Sequence, residues 1–179
     1  RFKVEHPDGR VTEKQMEVMK QLFDLGILFD KVNNLKHLKQ SFRNTAQKEI
    51  AYRTGQKITT ENVLNDIINT SLMISSWGKL FDPKKDFIHV GTGLAQLKPF
   101  IYNGSFRIDE AVLASSKAAY LAAIVLKDYK GEIKRWHDGD DIMKYNIDPV
   151  EYNFLNKRRN IPGSPLFYWY QTLSLLEKL

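Results

Sequence analysis

The chain contains no cysteine among its 179 residues. Disulfide bonds, thiolate zinc sites and cysteine nucleophiles are therefore excluded, and any metal ion has to be bound by oxygen or imidazole ligands. Together with the lack of a recognisable secretory signal, this predicts an intracellular, reducing compartment. Because the first residue is Arg1 rather than methionine, we expect residues 1–179 to be a single domain taken from a longer chain.

Long apolar runs are also missing from the sequence. The most apolar stretch, "AAYLAAIVL", is nine residues long, whereas a membrane-spanning helix needs roughly 20. Hydrophobic residues make up 42% of the chain and charged residues 27%, which is ordinary for a globular domain with a buried core. We therefore expect a folded domain without a membrane partner.

The pattern of apolar residues predicts an α+β fold that is mainly α, with five or six helices. In the first half, a capping box of Thr12 and Gln15 predicts a helix that begins near Glu13, and further helices are predicted from Leu35 to Arg53 and after Thr59 or Thr60. A nearly all-apolar stretch predicts a central buried helix at about 110–129. Pro165 starts a final helix, with Ser164 as its cap.

Between the third and the central helix the helical spacing of apolar residues gives way to a β-type run and glycine-containing turns, which predicts a small antiparallel β-hairpin at about 87–108. The segment "FIHV" is a β-type run, and "GTGLAQ" that follows it is typical of a turn. Further on, Asn103-Gly104 lies between alternating apolar residues, which is the strongest short-range signal for a hairpin turn.

An acidic stretch, "RWHDGDD", stands out at residues 135–141. Asp138, Asp140 and Asp141 offer the hard oxygen ligands that Mg²⁺ prefers. The alternative is a solvated turn in which Asp140 or Asp141 caps a short helix. We favour the capping turn and keep metal binding as the second interpretation.

A metal-dependent phosphodiesterase or nuclease is the enzymatic alternative. Glu132 and Lys134 have the acid-x-lysine form in which the acid holds Mg²⁺ and the lysine helps the attacking water. Asp86, Asp109 and the aspartates at 138, 140 and 141 are the candidate further ligands. No other cofactor is expected.

The formal net charge is +6, from 27 lysines and arginines against 21 acidic residues, and a basic protein attracts polyanions. Our leading hypothesis is a nucleic-acid-binding or nucleoprotein-type domain that contacts phosphates without reading the base sequence. The alternative for these cations is an ordinary solvated helix face. The candidate contact residues form two groups along the chain: Lys36, Lys39, Arg43 and Arg53, and then Lys157, Arg158 and Arg159.

The C-terminal segment "LFYWYQTLSLL" carries four consecutive aromatic residues. If part of them were exposed, this helix would suit a protein partner, since aromatic side chains are enriched at interfaces. A protein-interaction module is therefore the third functional hypothesis. Burial of the same residues in the core is its alternative.

Overall fold

The N-terminal residues form a two-stranded antiparallel hairpin in the computed structural model, which describes residues 2–6, 8–52, 58–78, 83–102 and 104–179. Strand β1 (Lys3–Glu5) pairs with strand β2 (Val11–Glu13) in a register that sets Val4 opposite Thr12. The predicted capping box of Thr12 and Gln15 is wrong, because Thr12 belongs to β2 and the first helix has no side-chain cap. The helix predicted to begin near Glu13 begins two residues later, at Gln15.

Helices make up the rest of the regular structure in the described part of the chain, so the predicted fold class, mainly α with a small antiparallel sheet, is confirmed. Short 3₁₀ helices lie at Lys98–Phe100, Ile142–Lys144 and Asn153–Asn160. The α-helices are α1 (Gln15–Phe29), α2 (Leu35–Ala51), α3 (Thr60–Ser75), α4 (Pro83–Leu97), α5 (Ile108–Leu126) and α6 (Pro165–Leu175). None of the helices formed by these residues is long and apolar enough to cross a membrane.

Two helices begin at a side-chain cap, and the cap of α3 confirms the prediction of a helix start after Thr59 or Thr60. The Thr59 side chain accepts a hydrogen bond from the backbone N–H of Asn62 at 3.1 Å and starts α3. Asn34 caps α2 in the same way, since its Oδ1 accepts from the backbone N–H of His37 at 3.0 Å. Each cap satisfies one of the backbone donors that a helix leaves free at its first turn.

Helix α5 is the centre of the fold, and the predicted buried helix at about 110–129 is confirmed. It packs against α1, α3 and α6, and thirteen of its nineteen residues are buried. Most of these are alanine, serine or valine. Small side chains on α5 let three neighbouring helices pack closely around it, which explains why the helix is apolar on nearly every face.

A directed chain of hydrogen bonds crosses the packed core from α6 to α5. The indole Nε1 of the fully buried Trp169 donates to the Ser75 hydroxyl at 2.9 Å. The hydroxyls of Ser75 and Ser115 are 3.2 Å apart, and Ser115 donates to the carbonyl oxygen of Val112 at 2.9 Å. Because the Ser115 proton is already used, Ser75 has to donate to Ser115. Each polar side-chain group of this Trp169–Ser75–Ser115 series therefore has a hydrogen-bond partner.

The predicted hairpin at 87–108 is placed wrongly, because residues 83–97 form helix α4 and the antiparallel sheet lies at the N-terminus instead. Asn103, the first residue of the predicted hairpin turn, lies outside the described residues. Within α4 the apolar residues Phe87, Val90, Leu94 and Leu97 follow helical spacing and pack on the core. This apolar face packs α4 against α1, and the tertiary contact outweighs the local β-type composition.

Candidate nucleic-acid interface

Cations from two distant parts of the sequence meet in one surface pocket, which we call the α2 basic pocket. It has a volume of about 420 Å³. Its charged lining consists of four cations and a single carboxylate, which gives a net charge of +3. The lining residues are Leu35, Lys36, Lys39, Gln40 and Arg43 from α2, and Asp128, Tyr129 and Lys130 from the segment after α5.

Asp128 holds its position through the way in which α5 ends. Its backbone N–H donates to the Val125 carbonyl and the next N–H, of Tyr129, donates to Ile124. These two bonds form a Schellman ending, in which the residue after the cap takes a left-handed conformation. Asp128 does so with a φ of 46°, although an aspartate is much less suited to this conformation than a glycine.

Three of the four cations of the pocket bond to the Asp128 carboxylate. Its Oδ1 accepts from Lys39 Nζ at 2.9 Å and from Arg43 Nη2 at 3.5 Å, and its Oδ2 accepts from Lys130 Nζ. The hydrogen bonds from Lys130 and Lys39 hold the pKa of Asp128 well below its usual range. The carboxylate therefore stays ionised at any physiological pH.

The four cations of the pocket differ in how far their side chains are exposed and therefore accessible to a ligand. Lys39 is only 7% exposed and also donates to the Tyr129 carbonyl at 2.9 Å, so it forms the floor of the pocket. The side chains of Arg43 and Lys130 are 45% and 79% exposed, and Lys36 is exposed as well. Lys36, Arg43 and Lys130 are therefore the groups that an incoming anion would meet.

The second predicted basic group, Lys157 to Arg159, is arranged differently. Arg158 is only 5% exposed; its Nε donates to the Ser75 carbonyl at 2.8 Å, and its guanidinium lies 4.0 Å from the centre of the Trp77 ring. Burial lowers the pKa of Arg158. Arg158 thus serves the core and is not on the surface where a phosphate contact was expected.

The neighbours of Arg158 keep some exposure. Arg159 donates through Nε to the Asn156 carbonyl at 3.2 Å, and Lys157 is exposed. This group lies in the 3₁₀ helix that packs against α6, so it is separate from the α2 basic pocket. Arg53, the remaining predicted contact, lies outside the described residues, and the binding role of the others stays a prediction.

The acidic stretch at 135–141 forms a capping turn, as we favoured. Asp141 accepts a hydrogen bond from the backbone N–H of Met143 at 3.0 Å and caps the 3₁₀ helix Ile142–Lys144. Asp140 accepts from the N–H of His137 at 2.9 Å and closes the preceding turn, while Asp138 is exposed. Two of the three carboxylates are thus engaged with backbone donors.

The residues of the nuclease hypothesis do not come together as a metal site. Among the described residues, no group of three or more histidines, aspartates or glutamates could hold a metal ion. Asp86 lies on α4, and Asp109 lies in the first turn of α5. Glu132 and Lys134 are exposed in the segment after α5. The Mg²⁺-dependent alternative gains no support.

Three of the four consecutive aromatic residues near the C-terminus belong to the core. Leu166 and Trp169 are fully buried, and Phe167 and Tyr168 are each 3% exposed. Desolvation raises the pKa of the Tyr168 hydroxyl, which accepts a hydrogen bond from the backbone N–H of Trp136. Phe167, Tyr168 and Trp169 are therefore unavailable to a protein partner, whereas Tyr170 is half-buried. The interaction hypothesis stays a prediction.

We compared the chain with protein-family models, curated protein sequences and solved structures. No match was found in any of the three. Any functional conclusion therefore depends on the residues and geometry described above.

Two charged residues of the α2 basic pocket, Asp128 and Lys130, were not among the predicted contacts. The sequence signal near them is the charged run "KDYKG", which directly follows the apolar stretch of α5. That run predicts the end of a helix, but it does not indicate that the segment contacts α2. Lys39 of α2 and Asp128 are 89 positions apart in the sequence.

Proposed function

We propose that this protein binds nucleic acid, largely without sequence preference, and that the α2 basic pocket is its principal phosphate contact. The observation that carries the proposal is that Lys36, Lys39, Arg43 and Lys130 line one pocket whose single carboxylate, Asp128, bonds to the last three of them. Four cations would need four carboxylates for their charges to be neutralised, but the pocket lining contains only one carboxylate, that of Asp128. The surplus of positive charge is the property that attracts a polyanion.

The composition of α2 supports the same partner. The helix carries Lys36, Lys39, Arg43 and Lys48 but a single acidic residue, Glu49. Lysine and arginine bind phosphate oxygens, which are the same in every nucleotide, and such contacts position a protein without reading the sequence. Sequence-independent binding therefore follows from the kind of side chain that lines the pocket.

The test is a salt series of binding measurements with a labelled single strand and its duplex. Each phosphate contact releases counterions, so log K falls with log salt by about 0.9 per contact for duplex DNA. Replacing Lys36, Arg43 and Lys130 by alanine should lower that slope by up to about 2.7. Lys39 is left in place because it is buried.

The matched control removes the same charge elsewhere. Lys20, Lys98 and Lys144 are exposed lysines that do not line the pocket, and their triple alanine variant should keep the wild-type slope. An equal loss of slope in both variants would show that binding depends on overall charge rather than on the pocket. Absence of binding by the wild-type protein at low salt would overturn the proposed function itself.

A further inference from the structure

We propose that the α2 basic pocket receives the terminal phosphate of a nucleic acid strand, rather than one of its internal phosphodiesters. The inference rests on the proposed function and names the chemical group that the same site selects. It is drawn from the shape of the site and from the number of charges that meet there.

The cations of the site are arranged around a single position, which suits the end of a strand. Lys39, Arg43 and Lys130 all reach the same carboxylate group of Asp128, so they surround one position instead of forming a line along a groove. The buried ammonium of Lys39, bonded to the Tyr129 carbonyl, closes the floor. A strand that continued in both directions would present successive phosphates, for which a row of cations is the suitable arrangement.

The charge of the site points to the same group. A phosphodiester carries one negative charge, whereas a terminal phosphate carries about 1.5 to 2 at pH 7 and has three acceptor oxygens. With Asp128 included, the pocket retains a net charge of +3. The C-terminal end of α5 contributes only about −0.5, which is too little to reverse that surplus.

Asp128 has a defined part in this arrangement, because it competes with the ligand for Arg43 and Lys130. Its carboxylate occupies a left-handed backbone position at the negative end of a helix, where both conformation and dipole disfavour it. Asparagine adopts the left-handed conformation readily and keeps the shape of the side chain. The asparagine Oδ1 can still accept the hydrogen bond of the buried Lys39. Asp128→Asn should therefore keep the fold with some loss of stability, remove the competing charge and tighten binding of a phosphorylated end.

The experiment uses one labelled single strand in three forms: with a 5′ phosphate, with a 3′ phosphate and with hydroxyl groups at both ends. We expect at least one phosphorylated form to bind about tenfold more tightly than the hydroxyl form, which corresponds to one additional charge-assisted hydrogen bond. Arg43→Ala and Lys130→Ala, each checked for folding by circular dichroism, should abolish that preference. Lys98→Ala, outside the pocket, should retain it.

The outcomes separate the two proposals. Equal affinity for all three strands, with the salt slope still lowered by the pocket variants, would overturn the terminal-phosphate inference and leave nucleic-acid binding intact. Absence of binding by every strand would overturn both. A folded Asp128→Asn protein that binds the phosphorylated strand more weakly than wild type would contradict the competition assigned to Asp128.

Discussion

Two glycines of α4 predict opposite responses to the same substitution. Gly91 is exposed on the helix, and a Cβ atom built there meets no atom within 4 Å. Gly93 faces α1, and a Cβ atom built there lies 2.5 Å from the carbonyl oxygen of Gln15 and 2.7 Å from Cγ of Met19. The first position is open to alanine, whereas the second is in contact with the backbone of another helix.

The free energies follow from these two environments. Alanine in place of glycine in a helix interior is favourable by about 0.5–1 kcal/mol, so Gly91→Ala should stabilise the protein by that amount. At Gly93 the same gain is opposed by overpacking, which costs about 1–3 kcal/mol and cannot be relieved by a side-chain rotation because the contact is with backbone. We expect Gly93→Ala to be less stable than Gly91→Ala by about 2 kcal/mol.

Urea denaturation followed by circular dichroism measures this difference, and for a chain of this size it corresponds to roughly 4–8 °C in Tm. The comparison is sensitive to the structure of residues 83–97. If these residues formed the β-type run and glycine turn that their composition suggests, both substitutions would destabilise the protein. Equal effects of the two substitutions would refute the packing of α4 against α1.

Two further pairs of variants test the core. Ser75→Ala leaves the buried Trp169 Nε1 without its acceptor and should lower the free energy of unfolding by about 1–3 kcal/mol. Ser116 is equally buried, but its hydroxyl is bonded only to a carbonyl of its own helix. Ser116→Ala should therefore change the free energy of unfolding by less than about 0.5 kcal/mol. Equal losses measured in urea would contradict the hydrogen-bond chain. Asp30→Ala should destabilise the fold more than Lys117→Met. In Asp30→Ala the Lys117 side chain, which is only 10% exposed, loses its ionic partner. In Lys117→Met the remaining Asp30 carboxylate is 55% exposed, so water can replace the lysine. The reverse order in thermal unfolding would show that the carboxylate, not the ammonium, depends on the pair.

Most helices could be predicted from the sequence because their signals are local. The cap at Thr59, the proline at 165 and the all-apolar stretch of α5 each depend on neighbouring residues alone. In α4 a helical signal was also present, since Phe87, Val90, Leu94 and Leu97 recur at intervals of three and four residues. Two glycines and three β-branched residues within the segment, Ile88, Val90 and Thr92, obscured it, because both kinds of residue lower helix propensity.

The N-terminal hairpin was harder to predict for another reason. The extended segment and its Pro-Asp-Gly turn were apparent, but Thr12 and Gln15 also fitted a capping box. Pairing of Val4 with Thr12 decides between these two possibilities. A strand pairing of this kind is a contact between residues, and single-residue preferences do not specify it.

The candidate site was predictable only in part. Lys36, Lys39 and Arg43 share a helix face by their spacing, so their grouping follows from the sequence. Their convergence with Lys130 on Asp128 depends on how α2 packs beside the end of α5, which no local pattern encodes. Arg158 shows the opposite case, in which a residue from an exposed-looking run of cations is placed under a tryptophan ring.

The central claim, that the α2 basic pocket contacts nucleic acid phosphates, is tested most directly by the slope of log affinity against log salt for one duplex. We predict a slope whose magnitude falls by up to about 2.7 in the Lys36, Arg43 and Lys130 triple alanine variant and stays at the wild-type value in the Lys20, Lys98 and Lys144 variant. Identical slopes for wild type and both variants would contradict the claim.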